Sequence, residues 1–119
     1  MAAMASVIIY HNPRCTKSRQ TLKLLTEQGI VPKVIEYLKQ PPDASALSDL
    51  IDMLGIEPIE LIRKKEKSFK ELGLAQQAGD RKALIRAMAQ HPILIERPIV
   101  VKGKKARLGR LPEKVLEIL

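Results

Sequence analysis

The chain has 119 residues, of which 45% are hydrophobic and 29% charged, and its formal net charge is +8. This length predicts one domain with a single core, and the net charge favours anionic partners. The single cysteine cannot form an internal disulfide, which excludes a disulfide-stabilised secreted scaffold. Aromatic residues make up only 3% of the chain, too few for a base-stacking surface, so we expect no nucleic-acid partner.

The N-terminal residues contain no recognisable export or membrane signal. Residues 1–6 include no basic segment, and the apolar run at 7–10 is too short for a signal core or a membrane span. We therefore expect a cytoplasmic protein with no membrane partner. Met4 is an alternative start, which would make the first residues a disordered appendage.

The first third of the chain predicts a strand, a helix and a second strand. Residues 7–10 form a continuous apolar run, which is typical of a strand buried on both faces. A helix is predicted from about residue 16 to 28, with Gly29 at its C-terminus, and a second strand at 33–38. A strand, helix and strand of this length indicate a right-handed parallel crossover.

A helical insert is predicted over about residues 43–91. Asp43 is placed to cap a helix that ends at Gly55, Pro58 begins a short helix, and Asp80 is placed to cap another that ends near His91.

The last part of the chain predicts a β-hairpin and a helix. Residues 98–101 and 106–108 flank a Lys-Gly turn, and Pro112 opens the terminal helix. The complete order predicts an α/β, thioredoxin-like fold with a helical insertion between the second and third strands. We expect residues 1–119 to form one such domain, whose ligand-binding edge is the first strand–helix turn.

Cys15 lies where the apolar run ends and the first helix begins. Unpaired backbone N–H groups at a helix N-terminus stabilise a thiolate and also attract an oxyanion. A cationic His11 or Arg14 would lower the pKa of the thiol further. The Ser18 hydroxyl, one turn later, either donates to the sulfur or caps the helix. A small buried cysteine is the alternative, but polar and basic neighbours favour a reactive thiolate.

The residues around Cys15 exclude two kinds of thiol chemistry. Ser18 replaces the second cysteine of a C-x-x-C motif, so the chain cannot carry out a dithiol cycle by itself. Thr21 stands where the C-x₅-R phosphatase loop needs arginine. A single thiolate must be resolved by an external thiol, which indicates glutathione or glutaredoxin.

Residues 11–19, HNPRCTKSR, resemble the active-site motif of the glutaredoxin-linked arsenate reductases, the ArsC family. Further segments that resemble the family are 61–64 (LIRK), 70–74 (KELGL), 91–101 (HPILIERPIVV) and 106–110 (ARLGR). The resemblance implies that Cys15 attacks arsenate and that His11 helps to lower the pKa of the thiol. It also implies that three guanidiniums hold and polarise the oxyanion, those of Arg63, Arg97 and Arg110.

Three residues around the cysteine are assigned to substrate binding: Ser18, Arg19 and Arg14. Arg14 and Arg19 contribute to a positive rim or merely to solubility. The remaining expectations follow from the resemblance. Arg110 is preferred over Arg107, which is expected at the surface, and Pro98 is expected to follow a cis peptide bond. Glutathione is the expected co-substrate, with glutaredoxin as electron donor. We expect a monomer without a permanently bound cofactor or metal.

Several positions depart from the family pattern and leave alternatives open. Arg14 and Lys17 stand where resistance-operon enzymes carry small residues, and Leu111 replaces a usual proline. With its end at Leu119, the chain resembles the shorter chromosomal subgroup, whose substrate is arsenate or a similar, bulkier oxyanion. The alternatives are an Spx-like regulator that binds RNA polymerase, a catalytically idle glutathione-binding ArsC-like protein, and a basic nucleic-acid binder. The missing second cysteine argues against the Spx-like redox switch.

Overall fold

The computed structural model describes residues 6–119, so Met4, the alternative start considered above, lies outside the described residues. The chain contains two compact units. One comprises the described residues up to Tyr37 together with Arg97–Leu119, and the other is Leu38–Glu96. Within residues 6–119, no helix is long and apolar enough to cross a membrane.

The first unit is built on a four-stranded mixed sheet with the strand order β2-β1-β3-β4. The strands are β1 (Val7–His11), β2 (Lys33–Glu36), β3 (Ile99–Lys102) and β4 (Lys105–Leu108). β1 runs parallel to β2, with His11 opposite Glu36. It runs antiparallel to β3, which pairs with β4 as a hairpin. The predicted parallel pair and antiparallel hairpin are both confirmed.

Two helices cover one face of this sheet. α1 (Thr16–Glu27) and a 3₁₀ helix (Pro112–Ile118) pack against it. The core cluster that they form consists of Val7, Ile9, Leu25, Val100, Val115 and Ile118. Ile8 and Tyr10, on the other face of β1, are only partly buried. The expectation that β1 is buried on both faces is therefore wrong, because an apolar run does not fix how much cover each face receives.

The second unit consists of helices, as the sequence predicts. They are α2 (Ala44–Leu54), α3 (Lys67–Glu71) and α4 (Arg81–Gln90), with 3₁₀ helices at Pro58–Leu61, Leu74–Gln77 and Pro92–Leu94. The Asp43 side chain accepts a hydrogen bond from the backbone of Ala46 at 2.8 Å, and Gly55 ends α2 in the left-handed conformation. Asp80 caps α4 in the same way, so both predicted caps are confirmed.

Together these elements form an α/β, thioredoxin-like fold with a helical insertion between β2 and β3. The connection from β1 through α1 to β2 places the carboxyl ends of the two parallel strands at the same edge of the sheet. The turn that contains Cys15 follows β1 at this edge. Tyr37 follows β2 at the same edge.

Candidate active site

The turn between β1 and α1 is held by hydrogen bonds within residues 12–19. The carbonyl of Asn12 accepts the backbone N–H of Cys15 at 3.0 Å, and its side-chain oxygen accepts the N–H of Arg14 at 3.0 Å. The Arg19 guanidinium donates to the carbonyl of Pro13 at 2.9 Å. An asparagine that bonds the backbone two residues on is a common way to build such a turn. The turn therefore fixes the position of Cys15 relative to α1.

Cys15 occupies the N-cap position of α1, and its side chain is partly exposed. Burial alone raises the pKa of its thiol. The backbone N–H of Ser18, the Arg97 guanidinium and the backbone N–H of Lys17 lower that pKa by more, so the pKa lies below its ordinary value. Unpaired N–H groups of a first helical turn and a nearby cation are the usual causes of an acidic cysteine. The prediction of a thiolate at a helix N-terminus agrees with this geometry.

Ser18 and His11 form a buried pair beneath the turn. The Ser18 hydroxyl oxygen lies 2.6 Å from Nδ1 of His11 and accepts the backbone N–H of Asn12 at 3.0 Å. The hydroxyl either donates to Nδ1 or accepts from it, according to the tautomer of His11. Ser18 therefore influences Cys15 through its backbone N–H. The expectation that its hydroxyl bonds either the sulfur or the end of the helix is wrong in both forms.

The charge of His11 also differs from the expectation. Burial lowers the pKa of its imidazole below the ordinary value, Glu36 opposes this shift, and Arg19 adds to it. The ring is therefore neutral at pH 7 and cannot lower the pKa of Cys15 as a cation. His11 instead anchors the turn from beneath, because it bonds the Ser18 hydroxyl that also accepts the N–H of Asn12.

Arg97 reaches the site from the loop before β3, and the Arg97–Pro98 peptide bond is cis, as expected. Its Nε and Nη1 atoms are buried without a hydrogen-bond partner among the described residues. Since a guanidinium can only donate hydrogen bonds, these atoms require an acceptor. An anion beside Cys15 would provide one. The two buried, unpaired nitrogens near the Cys15 thiol therefore indicate an oxyanion site.

The loop of Arg97 is held close to the first turns of α1. Gly109 donates its backbone N–H to the carbonyl of Pro98 at 2.9 Å. The Thr21 hydroxyl donates to the carbonyl of Lys17 at 2.8 Å and lies 3.4 Å from the carbonyl of Gly109. A Cβ added to Gly109 would lie 2.6 Å from Thr21 Oγ1 and 2.7 Å from Pro98 Cγ. Only glycine allows the helix, the Arg97 loop and the end of β4 to approach so closely.

The other predicted arginines have different positions. Arg63 belongs to the second unit, where its backbone N–H donates to the carbonyl of Leu94 at 2.7 Å and its side chain lies 3.5 Å from Glu66. Arg110 is exposed in the turn that follows β4. Arg107 bonds Glu117 at 3.0 Å, which fits the expectation that it is a surface residue. Within the first unit, the structure thus brings together Cys15, the backbone of Ser18 and Arg97. The assignment of Arg63, Arg110, Arg14 and Arg19 to oxyanion binding stays a prediction.

Sequence reasoning missed Tyr37 and Gly109. Tyr37 is fully buried at the carboxyl end of β2, and its hydroxyl has no hydrogen-bond partner among the described residues. Its position directly after a strand parallel to β1 was the available signal, because the carboxyl ends of such strands meet at one edge. Gly109 offered no signal, since its role depends on contacts with two distant segments.

The described part of the chain contains no group of three or more His, Cys, Asp and Glu side chains that could hold a metal ion. The candidate site is formed by Cys15, the first turn of α1 and Arg97. It offers an acidic thiol as nucleophile, helix N–H groups, and a guanidinium that requires an anion. This combination suits attack by sulfur on the central atom of an oxyanion.

Comparison with known proteins gives the same family over almost the whole chain. A model of the ArsC family matches residues 10–118. The chain is 55% identical over 114 residues to the uncharacterized protein YfgD of Escherichia coli, covering 95% of this chain and 96% of the relative. It is 46% identical over 117 residues to an arsenate reductase of Neisseria meningitidis, covering 98% and 100%. The solved structure of an arsenate reductase from Vibrio cholerae superimposes with a TM-score of 0.94 at 52% identity, covering 98% of this chain and 100% of the other.

Proposed function

Because the chain belongs to the ArsC family, we propose that it reduces arsenate to arsenite, with Cys15 as the only protein nucleophile and with glutathione and glutaredoxin as electron donors. The observation that carries this proposal is the acidic Cys15 thiol near the Arg97 guanidinium, two of whose nitrogens are buried without an acceptor among the described residues. Arsenate is a tetrahedral anion whose oxygens would accept from both the guanidinium and the helix N–H groups.

The proposed reaction begins with attack by the Cys15 thiolate on arsenic. A sulfur–arsenic bond forms, and an arsenate oxygen leaves as hydroxide or water. Glutathione thiolate then displaces a second oxygen in the same way, and arsenic remains As(V). A glutaredoxin thiolate attacks the glutathione sulfur, which forms a mixed disulfide and leaves the electron pair of the sulfur–arsenic bond on arsenic. Water finally displaces Cys15 from As(III), which releases arsenite and restores the thiol.

The site residues divide between nucleophile activation and anion binding. The Ser18 and Lys17 backbone N–H groups and Arg97 favour the thiolate, and Arg97 remains placed to stabilise negative charge on the leaving oxygen. The family resemblance supports two further oxyanion ligands, Arg63 and Arg110. Arg14, Arg19 and the side chain of Ser18 are assigned to substrate binding because they lie around Cys15 in the sequence. The contacts of Arg19 with Pro13 and of Ser18 with His11 support a positioning role for these two instead.

The proposed co-substrates have consequences for where and how the protein works. Glutathione and glutaredoxin maintain thiols in the reducing cytoplasm, so we propose a cytoplasmic enzyme. We further propose that it acts as a monomer and carries no permanently bound cofactor, because the nucleophile and its activating groups all belong to one chain.

A coupled assay tests the proposal directly. Oxidation of NADPH is followed in the presence of arsenate, glutathione, glutaredoxin and glutathione reductase, with Cys15→Ser as the background. We expect arsenate-dependent turnover that Cys15→Ser abolishes, and turnover that disappears when glutaredoxin is left out. Turnover no higher than that of Cys15→Ser would reject the enzyme assignment. If glutathione then bound without turnover, the idle glutathione-binding alternative would replace it.

A further inference from the structure

Among the described residues, Tyr37 has the largest fully buried side chain, with an exposed fraction of 0%. It follows β2 directly, at the sheet edge where β1 ends and the Cys15 turn begins. Tyrosine hydroxyls that are buried in this way almost always find a hydrogen-bond partner. The hydroxyl of Tyr37 has none among the described residues. Packing explains why the ring is buried, but it does not explain the hydroxyl.

The surroundings of this hydroxyl are those of the candidate active site. Burial raises the pKa of Tyr37 to about 12, and the groups that modify this shift are the Arg97 guanidinium, the Asn12 side chain and the Cys15 thiolate. Arg97 and Asn12 lower the pKa as polar neighbours of the hydroxyl, although neither has the distance and angle of a hydrogen bond to it, whereas Cys15 raises the pKa. The hydroxyl is therefore close to the nucleophile and to the cation that faces it. It also stays protonated at any physiological pH, so it can always donate a hydrogen bond.

Three buried polar atoms in this one place lack partners: the Tyr37 hydroxyl and the Nε and Nη1 of Arg97. The two guanidinium nitrogens can only donate. An acceptor that enters between them and the hydroxyl would satisfy all three, whereas a cation or an apolar group would satisfy none. A site that buries several unpaired donors is selective for the group that pairs with them, because any other occupant leaves them unpaired.

We propose that Tyr37 is a substrate-binding residue, whose hydroxyl donates a hydrogen bond to an oxygen of the arsenate that Arg97 holds beside Cys15. This inference rests on the proposed function, and it adds to the oxyanion site a residue that the family motifs quoted above do not contain. The hydroxyl adds a neutral donor to a site otherwise built from cations and backbone N–H groups.

The test compares oxyanion affinity with stability in Tyr37→Phe, which removes only the hydroxyl. Arsenate binding is measured by calorimetry in a Cys15→Ser background, where no covalent step can follow. We expect Tyr37→Phe to weaken arsenate binding about 10-fold or more, as for loss of a hydrogen bond to a charged group. The thermal midpoint of unfolding should not fall, because the hydroxyl has no partner in the unliganded protein. Equal affinities would overturn the inference, and so would a weaker affinity accompanied by a clearly lower midpoint, which indicates a packing role.

Tyr10→Phe is the matched control. Tyr10 is the other tyrosine of the chain and lies on the face of β1 opposite to His11. We expect its substitution to leave arsenate affinity unchanged. It also leaves Tyr37 as the only fluorophore of its kind, since the chain contains no tryptophan. Arsenate should change the tyrosine emission of this variant. An unchanged emission would overturn the inference even if Tyr37→Phe failed to fold.

Turnover separates this inference from the proposed function. If the unsubstituted protein reduces arsenate and Tyr37→Phe does so with the same KM, the inference fails and the function stands. If the unsubstituted protein neither binds nor reduces arsenate, the function fails and the inference fails with it. We expect instead that the unsubstituted protein is active and that Tyr37→Phe raises KM.

Discussion

Gly109→Ala tests whether close packing between α1 and the Arg97 loop keeps Cys15 acidic. The new Cβ would lie 2.7 Å from Pro98 Cγ, 3.2 Å from Pro98 Cδ and 2.6 Å from Thr21 Oγ1. Carbon atoms in contact are normally at least about 3.5 Å apart, so the shortest carbon–carbon approach is about 0.8 Å too close. The proline ring cannot rotate out of the way, and therefore the backbone must move. The loop that carries Arg97 is displaced from Cys15 as a result.

Overpacking of this kind costs about 1–3 kcal/mol of the free energy of unfolding. We expect Gly109→Ala to lose that amount in chemical denaturation, to raise the pKa of the Cys15 thiol, and to lower arsenate turnover by about 10-fold or more. The thiol pKa is measured from the pH dependence of its alkylation by iodoacetamide. Gly79→Ala is the matched control, because a Cβ at Gly79 would meet no heavy atom within 4 Å. A Gly109→Ala protein with unchanged stability and an unchanged thiol pKa would refute the reasoning.

Four further predictions concern Cys15, its neighbours and the cap of α2. Arg97→Ala should raise the pKa of Cys15, so that alkylation at neutral pH slows. Because the folded state favours the Cys15 thiolate, the free energy of unfolding should increase with pH from the lowered pKa up to the ordinary value near 9.0, and Cys15→Ser should flatten that increase. Ser18→Ala should lower the free energy of unfolding by about 1–3 kcal/mol, because it leaves a buried imidazole nitrogen and a backbone N–H unpaired. The pKa of the Cys15 thiol should stay nearly unchanged. A large rise in that pKa would mean that the hydroxyl contacts the sulfur after all. Asp43→Ala should lower the free energy of unfolding by about 0.5–2 kcal/mol, because it removes the N-cap of α2. Asp49→Ala is the control in the same thermal denaturation experiment, because Asp49 is exposed on the same helix and its loss should leave stability unchanged.

Much of the fold could be predicted because its signals are local. Asp43 and Gly55 bound α2 by capping chemistry that acts within one turn, and the structure has both ends where the sequence places them. The burial of β1 was less predictable. Its apolar run gives no alternation, so the partial burial of Ile8 and Tyr10 depends on what covers the second face.

The site was predictable in its nucleophile and only partly in its supporting contacts. Cys15 is recognisable from its place between a strand and a helix, because the N–H groups of a first turn follow from the chain's local geometry. The charge of His11 was not recognisable, since burial decides it and burial is a tertiary property. The roles of Tyr37 and Gly109 also depend on tertiary contacts. Each becomes part of the site through segments that are distant in sequence.

Backbone N–H groups and one side chain both lower the pKa of Cys15, but only the side chain can be removed by substitution. The N–H groups of Lys17 and Ser18 belong to the backbone, so no ordinary change of those side chains deletes them. Arg97 is a side chain that arrives on a separate loop, and its effect depends on how closely that loop approaches α1. The helix therefore provides a lowered thiol pKa wherever α1 forms, whereas the loop adds both a further lowering and the unpaired donors that require an anion. It follows that nucleophile and oxyanion site can be separated experimentally: substitutions in the Arg97 loop should remove anion binding while part of the thiol's acidity remains.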